Sequence, residues 1–413
     1  MRNNYNNNML ILKTGSGLSH LIPLIFTPIL TRLYSPGDYG VFAFFLSLLS
    51  ITSMISTGRY HLAILLPKEQ DEADTLKSIS LILSFTFSIL LFLIIYICSH
   101  ISYFDEIFVR SKNLIFLLPL GTLFFSFFDI TNYVLNREKE YNKMGGVRIF
   151  RNFTSECSSL FFGIFSIGPK GLIIGSLLGN LSALLFFDKK LFERIQIEKN
   201  NIKSIMIKYS EFPLYQMPTS ILGSFSIQSP IFFFTVFYPS HLHIVGFVGL
   251  ALRLFSLPLS LFTNSISQVF YKESSDLYNQ NKELHHVFYD TFKMLSVIGV
   301  PIAVILFIFS ETLFYYVFGS EWLVAGTYVK YLTPAFLIRF IVSPLTPVFF
   351  VKEKIKILSV WKIFQFLSTA TVLFLCCTLL DISNIDRIII IYSIHEIILY
   401  GLCFILQLRV LRF

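Results

Sequence analysis

Residues 78–98 of the chain read SISLILSFTFSILLFLIIYIC, and this whole segment carries no charged side chain. About 20 consecutive apolar residues are enough for an α-helix to cross the hydrocarbon core of a bilayer. Inside that core the backbone finds no water to bond, so a helix that bonds its own N–H and C=O groups is the stable form. The sequence therefore predicts a transmembrane helix over 76–98.

Comparable apolar segments fill the rest of the chain. Of its 413 residues, 54% are hydrophobic and 14% are charged, whereas a soluble domain has about 25% charged residues. We therefore predict an all-α polytopic membrane protein with about twelve transmembrane helices. Their expected positions are 12–32, 38–60, 76–98, 113–135, 147–168, 171–188, 211–237, 241–270, 291–318, 322–350, 357–380 and 386–409.

The basic residues between these segments predict the topology, because Lys and Arg favour cytoplasmic loops. With the N-terminus placed inside, 24 of the 33 Lys and Arg residues fall on the cytoplasmic side and five fall outside. Both termini are therefore expected in the cytoplasm. The basic segment 191–210 separates an N-terminal six-helix lobe, residues 1–190, from a C-terminal six-helix lobe, residues 211–413.

The composition also argues against several classes of protein. The formal net charge is +8, but the cytoplasmic loops account for it, so we expect no nucleic-acid partner. The five cysteines show no CxxC or metal-ligand spacing. Walker A, HExxH and GxSxG motifs are absent from the sequence, so we expect neither an enzyme nor a bound cofactor or metal.

Basic residues inside the predicted helices point to an anionic passenger. Intramembrane carboxylates to pair with them look scarce in the sequence, and an unpaired cation in hydrocarbon is costly. These residues are Arg59, Arg253, Lys330 and Arg339. We favour Arg339 as facing a cavity and interpret Lys330 as extending outward to water.

Polar residues accompany some of these cations. Arg253, Ser260, Asn264 and Gln268 share one face of the predicted helix 241–270. They form either the wall of a water-filled cavity or a polar seam between helices. Gln228 lies in a predicted helix interrupted by prolines. Arg148 and Arg151 open another helix, where they either obey the positive-inside rule or line the inner mouth of a cavity.

Three carboxylates are the candidate sites for a coupling ion. Asp129, Glu156 and Glu396 lie within predicted helices. Each one either pairs with a basic neighbour or binds H⁺ or Na⁺ during transport.

Five short segments carry a resemblance to a known family. They are TPILTRLYSPGDYGVF at 27–42, TGRYHLAI at 57–64, LPK at 66–68, ALRLFSLP at 251–258 and SISQVFY at 265–271. With them the chain resembles the polysaccharide-export flippases of the multidrug/oligosaccharidyl-lipid/polysaccharide (MOP) superfamily over nearly its whole length. His61 departs from the pattern, because an acidic residue is common at that position in the family.

The resemblance implies two six-helix lobes that form a V and open alternately to each side of the membrane. It implies that an oligosaccharide on undecaprenyl pyrophosphate, an O-antigen or capsule repeat unit, crosses the bacterial inner membrane to the periplasmic leaflet. Arg253, Arg59, Arg339 and Arg151 are the expected phosphate ligands. Candidate partners are membrane lipids, a polysaccharide polymerase and a chain-length regulator. The expected sugar contacts are Asn264, Gln268, Gln228 and Ser260.

Two alternatives remain open at this stage. The first is a cation-coupled drug antiporter of the same superfamily, against which the basic intramembrane residues argue. The second is a membrane polysaccharide polymerase, which usually has a long outer loop. No loop of that kind is predicted here.

Overall fold

A computed structural model describes residues 19–101, 113–186, 199–259, 264–380 and 382–412. These residues are almost entirely helical, and none of them forms a β-strand. The helices that begin before residue 240 are α1 (Ser19–Leu33), α2 (Pro36–Ser56), α3 (Tyr60–Ala63), α4 (Gln70–Cys98), α5 (Leu118–Arg137), α6 (Tyr141–Ile164), α7 (Pro169–Ser182), α8 (Lys199–Lys208) and α9 (Met217–Phe237). The later helices are α10 (Leu242–Pro258), α11 (Asn264–Asn279), α12 (His285–Phe318), α13 (Leu323–Val342), α14 (Val348–Val351), α15 (Ile355–Leu379) and α16 (Ile385–Arg412).

The structure confirms a polytopic all-α membrane protein. Eight helical segments among the described residues are long and apolar enough to cross a bilayer, and two shorter apolar helices accompany them. Each of the twelve predicted segments overlaps a helix of the structure. Three helices begin six residues earlier than predicted, α4 at Gln70, α6 at Tyr141 and α12 at His285, because their first turns are polar and hydropathy misses them.

One predicted helix differs from the structure in its extent. Two described helices, α10 ending at Pro258 and α11 running from Asn264 to Asn279, correspond to the predicted helix over 241–270, and α11 extends past its predicted end. Residues 260–263 lie outside the described residues, so one continuous helix over 241–270 remains a prediction.

Contacts divide the chain into two compact units. The first unit comprises Met1–Phe225 with Pro239–His243, and the second comprises Ser226–Tyr238 with Ile244–Phe413. Helix α9 thus contributes residues to both. The predicted boundary at 191–210 remains a prediction, since the compact units are defined by contacts and not by the function of each part.

In the first unit, α2 and α5 pack through small and hydroxyl-bearing residues. The hydroxyls of Thr52 and Thr122 are hydrogen-bonded at 2.8 Å, and those of Ser56 and Ser126 at 2.6 Å. All four side chains are buried. Hydroxyl pairs and small residues are the usual means of joining helices in a membrane, where apolar surface alone gives little preference for association.

The turn between α1 and α2 is fixed to helix α6. Ser35 and Asp38 form a capping box at the start of α2, which satisfies backbone N–H groups that have no partner within the helix. The neighbouring Tyr34 is buried, and its hydroxyl donates to the carbonyl of Ser159 on α6 at 2.6 Å. The segment quoted above at 27–42 therefore anchors the beginning of the first unit.

Helices α6 and α7 approach closely along a stripe of glycines on α7. A Cβ atom at Gly175 would lie 2.2 Å from the Ser159 hydroxyl oxygen and 2.9 Å from the Ser155 carbonyl oxygen. At Gly179 it would lie 2.8 Å from the carbonyl oxygen of Arg151. Only glycine permits this separation, so the stripe sets the distance between the two helices.

The second unit has its own buried core, in which aromatic and aliphatic residues pack together at one end of its helices. Phe270 of α11, Phe288 of α12, Phe349 of α14 and Trp361 of α15 are at most 4% exposed and belong to one cluster, with Cys403 of α16. Aromatic side chains bury a large area each. Val342 of α13 belongs to the same cluster, which therefore joins six helices, α11 to α16.

Candidate functional site

The first unit contains a polar cavity of about 370 Å³. Helices α1, α5 and α6 supply its wall. Most of the lining side chains carry hydrogen-bonding groups, and two are arginines. The lining residues are Ser19, His20, Phe128, Asp129, Asn132, Tyr133, Asn136, Met144, Arg148, Arg151 and Asn152.

Arg151 is held from two sides. Its Nε donates to Oδ1 of Asn180 on α7 at 2.7 Å, and its Nη1 donates to Oδ1 of Asn152 at 3.4 Å. The guanidinium carbon lies 4.4 Å from the ring centroid of Phe128 and 5.4 Å from that of Phe125. A guanidinium stacked on an aromatic face gains about 0.5–2 kcal/mol, so its plane is fixed as well as its position.

Arg148 is held in a parallel way, one turn earlier on α6. Its Nε donates to Oδ1 of Asn132 on α5 at 3.0 Å. The amide nitrogen of Asn132 donates to the carbonyl of Phe128 at 2.8 Å, and that of Asn180 donates to the carbonyl of Ser176 at 3.0 Å. Each asparagine is therefore oriented by its own helix and presents an oxygen to an arginine.

Helix α1 is joined to this cavity by Asn152. The Asn152 amide nitrogen donates to the carbonyl of Ser19 at 2.6 Å. His20 follows Ser19 and lines the same cavity, with the charges of Arg148 and Arg151 close enough to act on its ring. The beginning of α1 therefore closes one side of the site.

Carboxylates accompany the arginines, which corrects the expectation that they are scarce. Asp129 lines the cavity, and the charges of Arg151, Arg59 and Arg148 act on its carboxyl. Glu156 lies further along α6 and is 5% exposed, and its negative charge acts on Arg151. Among the described residues around the cavity, three arginines thus face two carboxylates, and one positive charge remains by count.

Arg59 sits in a backbone conformation that side chains rarely adopt. Its φ is +62°, directly after Gly58 at +54°, and it precedes the short helix α3. Its Nε is buried and has no hydrogen-bond partner among the described residues. Left-handed backbone at a non-glycine residue costs free energy and is common at functional sites, so the turn places this cation beside Asp129 at some expense in stability.

The second unit has a smaller cavity of about 70 Å³. Arg339 of α13 and Glu396 of α16 both line it, with Tyr392 and apolar residues of α10 and α13. The Arg339 guanidinium lies 5.9 Å from the ring centroid of Tyr400. Glu396 is 5% exposed, and its carboxyl lies by the Thr369 hydroxyl of α15.

A short polar chain extends from this second cavity to α15. The amide nitrogen of Gln365 donates to the Tyr400 hydroxyl at 3.3 Å, and Lys362 Nζ lies 3.5 Å from the Gln365 amide oxygen. The charges of Arg339 and Lys362 both act on Glu396. Two cations and one carboxylate thus meet in the interior of the second unit.

Lys330 does not belong to either cavity. Its Nζ lies 3.3 Å from Glu311 Oε1 on α12, and the two side chains are 37% and 40% exposed. The pair joins α13 to α12. This intramembrane lysine therefore has a carboxylate partner that sequence reasoning did not identify.

The predicted site residues separate into groups. Arg151 and Asp129 share the first cavity, with Arg59 acting on it, while Arg339 and Glu396 share the second. Arg253 is half-buried on α10 and is not among the residues that line either cavity. Gln228 is half-buried on α9, Gln268 is exposed on α11, the side chain of Asn264 is not described, and Ser260 lies outside the described residues.

Sequence reasoning missed the residues that position the arginines. Asn180 is 0% exposed and lies 29 positions from Arg151, so no local pattern joins them. The sequence feature that could have indicated this contact is the four-residue spacing of Gly171, Gly175 and Gly179, which marks a close approach of two helices. Asn180 follows the last of these glycines directly, and the contact brings it to Arg151.

Solved structures with a similar fold are membrane transporters. An inward-facing multidrug resistance MATE family transporter of the MOP superfamily has a TM-score of 0.67 at 15% identity, over 97% of this chain and 94% of that chain. The lipid II flippase MurJ in an inward closed conformation has a TM-score of 0.70 at 15% identity, over 95% and 86%. A MOP superfamily transporter from Pyrococcus furiosus has a TM-score of 0.56 at 14% identity, over 98% and 95%. At these identities the likeness shows the fold alone.

Sequence comparison gives the family. No curated protein sequence matches the chain at a significant level. Residues 29–326, well over half of the chain, match the family described as polysaccharide biosynthesis protein. This chain therefore belongs to the polysaccharide biosynthesis protein family, and it is a multi-pass membrane protein with the fold of the MOP superfamily transporters.

Proposed function

We propose that this protein is a flippase that moves an oligosaccharide linked to undecaprenyl pyrophosphate from the cytoplasmic to the periplasmic leaflet of a bacterial inner membrane. The observation that carries the proposal is the arginine-lined cavity of the first unit, inside a membrane protein of a polysaccharide biosynthesis family. Arginine binds phosphate oxygens through two parallel hydrogen bonds. An O-antigen or capsule repeat unit is the cargo that fits these features.

The phosphate site is assigned to Arg151 and Arg148, with Arg59 beside them and Arg339 in the second unit. Arg253 stays a proposed phosphate ligand on the resemblance of its segment to the family. Asn264, Gln268, Gln228 and Ser260 stay proposed sugar contacts on the same ground. Transport proceeds by alternating access between the two sides of the membrane, with both termini in the cytoplasm.

No nucleotide-binding motif accompanies the fold, so an ion gradient is the proposed source of energy. The carboxylates that face the arginines are the candidate sites for H⁺ or Na⁺. Asp129 and Glu396 line cavities, and Glu156 lies further along α6. A polysaccharide polymerase and a chain-length regulator are the proposed protein partners.

A cation-coupled drug antiporter is the second candidate. The fold is shared with a MATE family multidrug resistance transporter, and a carboxylate lines each cavity. A carboxylate suits a cationic drug only when cations do not already surround it. Here arginines outnumber the carboxylates around the first cavity, so we rank this function below the flippase.

Transport of two opposite cargoes tests the proposal. The purified protein is reconstituted into proteoliposomes, and arrival in the opposite leaflet is measured for an oligosaccharide on isoprenyl pyrophosphate and, separately, for a cationic dye. We expect movement of the anionic lipid-linked sugar and none of the dye. Movement of the dye alone would replace the flippase with the antiporter.

A further inference from the structure

Both arginines of the first cavity are held by neutral amides. Asn180 Oδ1 accepts from Nε of Arg151 at 2.7 Å, and Asn132 Oδ1 accepts from Nε of Arg148 at 3.0 Å. Both asparagines are nearly inaccessible, at 0% and 7% exposed. A carboxylate in either position would accept the same bond and would also cancel the positive charge.

Two other cations of the chain are held by carboxylates. Lys77 lies 3.0 Å from Asp74, with side chains only 5% and 8% exposed, and Lys330 lies 3.3 Å from Glu311. These pairs neutralise a buried or half-buried charge, as is usual in a low-dielectric interior. The amides in the cavity, in contrast, orient their arginines without adding a negative charge of their own.

The neutrality of the two asparagine side chains matters because of the other charges around the cavity. Asp129 and Glu156 already oppose Arg59, Arg148 and Arg151, and His20 lies against the same arginines. Among the described residues, these three arginines and two carboxylates give a net charge of +1, and one further negative charge would bring it to zero. An anion that enters such a cavity would then meet no excess of positive charge.

We propose that Asn132 and Asn180 are positioning residues that determine selectivity for anions, by holding Arg148 and Arg151 in place without adding a negative charge of their own where a diphosphate group would bind. This inference rests on the proposed function and names the part of the cargo that the first cavity recognises. The diphosphate is the shared chemistry, whether it is carried by a lipid or free in solution.

Two substitutions of Asn180 separate the effect of a charge at this position from the effect of the hydrogen bonds that position Arg151. Asn180→Asp keeps the size and the acceptor oxygen, loses the bond to the Ser176 carbonyl, and adds a negative charge. Asn180→Leu loses both hydrogen bonds but adds no charge. A purely structural asparagine predicts that Leu is the more damaging change, whereas the proposal predicts that Asp is.

The measurement is the affinity of the purified protein for inorganic pyrophosphate and, in nanodiscs, for an isoprenyl pyrophosphate, with the neutral isoprenol as control. We expect Asn180→Asp to weaken binding of both diphosphates at least about tenfold more than Asn180→Leu, with no effect on the isoprenol. Thermal unfolding checks that both variants are folded. Asn132→Asp and Asn132→Leu repeat the comparison at Arg148 in case the Asn180 variants do not fold.

Transport separates failure of this inference from failure of the proposed function. An Asn180→Asp protein that binds diphosphate as tightly as Asn180→Leu overturns the inference, even when wild type moves the lipid-linked oligosaccharide. A wild type that binds no diphosphate also overturns it. A wild type that moves no lipid-linked oligosaccharide overturns the proposed function instead. In transport we expect the apparent KM of Asn180→Asp to rise more than its kcat falls.

Discussion

The guanidinium of Arg151 is positioned more completely than a lysine could be. It uses Nε for Asn180, Nη1 for Asn152 and its flat face for Phe128. A lysine carries one charged nitrogen on a flexible stem and has no planar surface to stack. The site therefore depends on the shape of the arginine as well as on its charge.

Replacing Arg151 by lysine tests this dependence. Arg151→Lys keeps the charge but removes the planar guanidinium and its set of N–H donors. We therefore expect transport of the lipid-linked oligosaccharide to fall about tenfold, and Arg151→Ala to reduce it further. The measurement is the initial rate of transport in proteoliposomes. Arg387, an exposed arginine at the start of α16, gives the matched control, and Arg387→Lys should transport as wild type does. Equal rates for wild type and Arg151→Lys would show that charge alone is sufficient.

The sequence predicts some contacts between individual side chains and not others. Asp129 was expected either to pair with Arg148 and Arg151 or to bind a coupling ion, because the ends of neighbouring helices meet on the same side of a membrane. The structure puts it in their cavity. Asn180 was not predicted, since a buried amide in an apolar helix gives no sign of which distant side chain it will meet. Contacts of that kind depend on helix packing, which the local sequence does not specify.

The glycine stripe of α7 is the feature of a whole helix that builds the site. Gly171, Gly175 and Gly179 recur every four residues and let α6 approach within contact of the α7 backbone. The approach places Asn180 against Arg151. The anion site therefore depends on a helix contact as much as on its own side chains.

A larger residue in the stripe should separate the two helices. The Cβ of Gly175→Leu would meet the Ser159 hydroxyl at 2.2 Å and backbone at 2.9 Å, and overpacking of this kind costs about 1–3 kcal/mol. We expect a lower unfolding temperature and weaker diphosphate binding in the same variant.

Gly401 provides the control, since a Cβ there would meet nothing within 4 Å. Gly401→Leu, in the membrane helix α16, should leave both the unfolding temperature and the affinity nearly unchanged. An unaltered unfolding temperature in Gly175→Leu would contradict the assigned role of the stripe.

The helices themselves were largely predictable, for a physical reason. Inside a bilayer each apolar segment must satisfy its backbone hydrogen bonds internally, so hydropathy identifies nearly every span. The errors occur where a helix leaves that environment. Asp71 and Glu72 begin α4 as a polar first turn, which favours a loop in a hydropathy plot although acidic residues stabilise a helix N-terminus.

For the whole molecule, the distribution of charge is the main functional feature. Each unit places arginine and a carboxylate around an internal cavity, Arg151 with Asp129 in the first and Arg339 with Glu396 in the second. A buried charge without full compensation is costly in a membrane protein and is usually retained for function. The carboxylates are therefore the places to look for a coupling ion.

Glu396 gives the sharper test of ion coupling. It is 5% exposed and lines the second cavity beside Arg339, so a proton or a sodium ion that enters this cavity has a carboxylate oxygen to bind. In Glu396→Gln we expect transport without a gradient to continue, and the acceleration by an imposed H⁺ or Na⁺ gradient to disappear. Glu321→Gln, at an exposed position, should keep the acceleration. An acceleration that persists in Glu396→Gln would exclude this carboxylate as the coupling site.

The most direct test of the account compares transport by wild type with transport by the double variant Arg148→Ala/Arg151→Ala. The readout is the arrival of pyrophosphate-linked oligosaccharide in the opposite leaflet of proteoliposomes, with Arg387→Ala as the control for loss of an arginine. We expect wild type and the control to transport the cargo, and the double variant to lose at least about 100-fold in rate while its fold is retained. A folded double variant that transports at the wild-type rate would contradict the claim that the arginines of the first cavity bind the cargo.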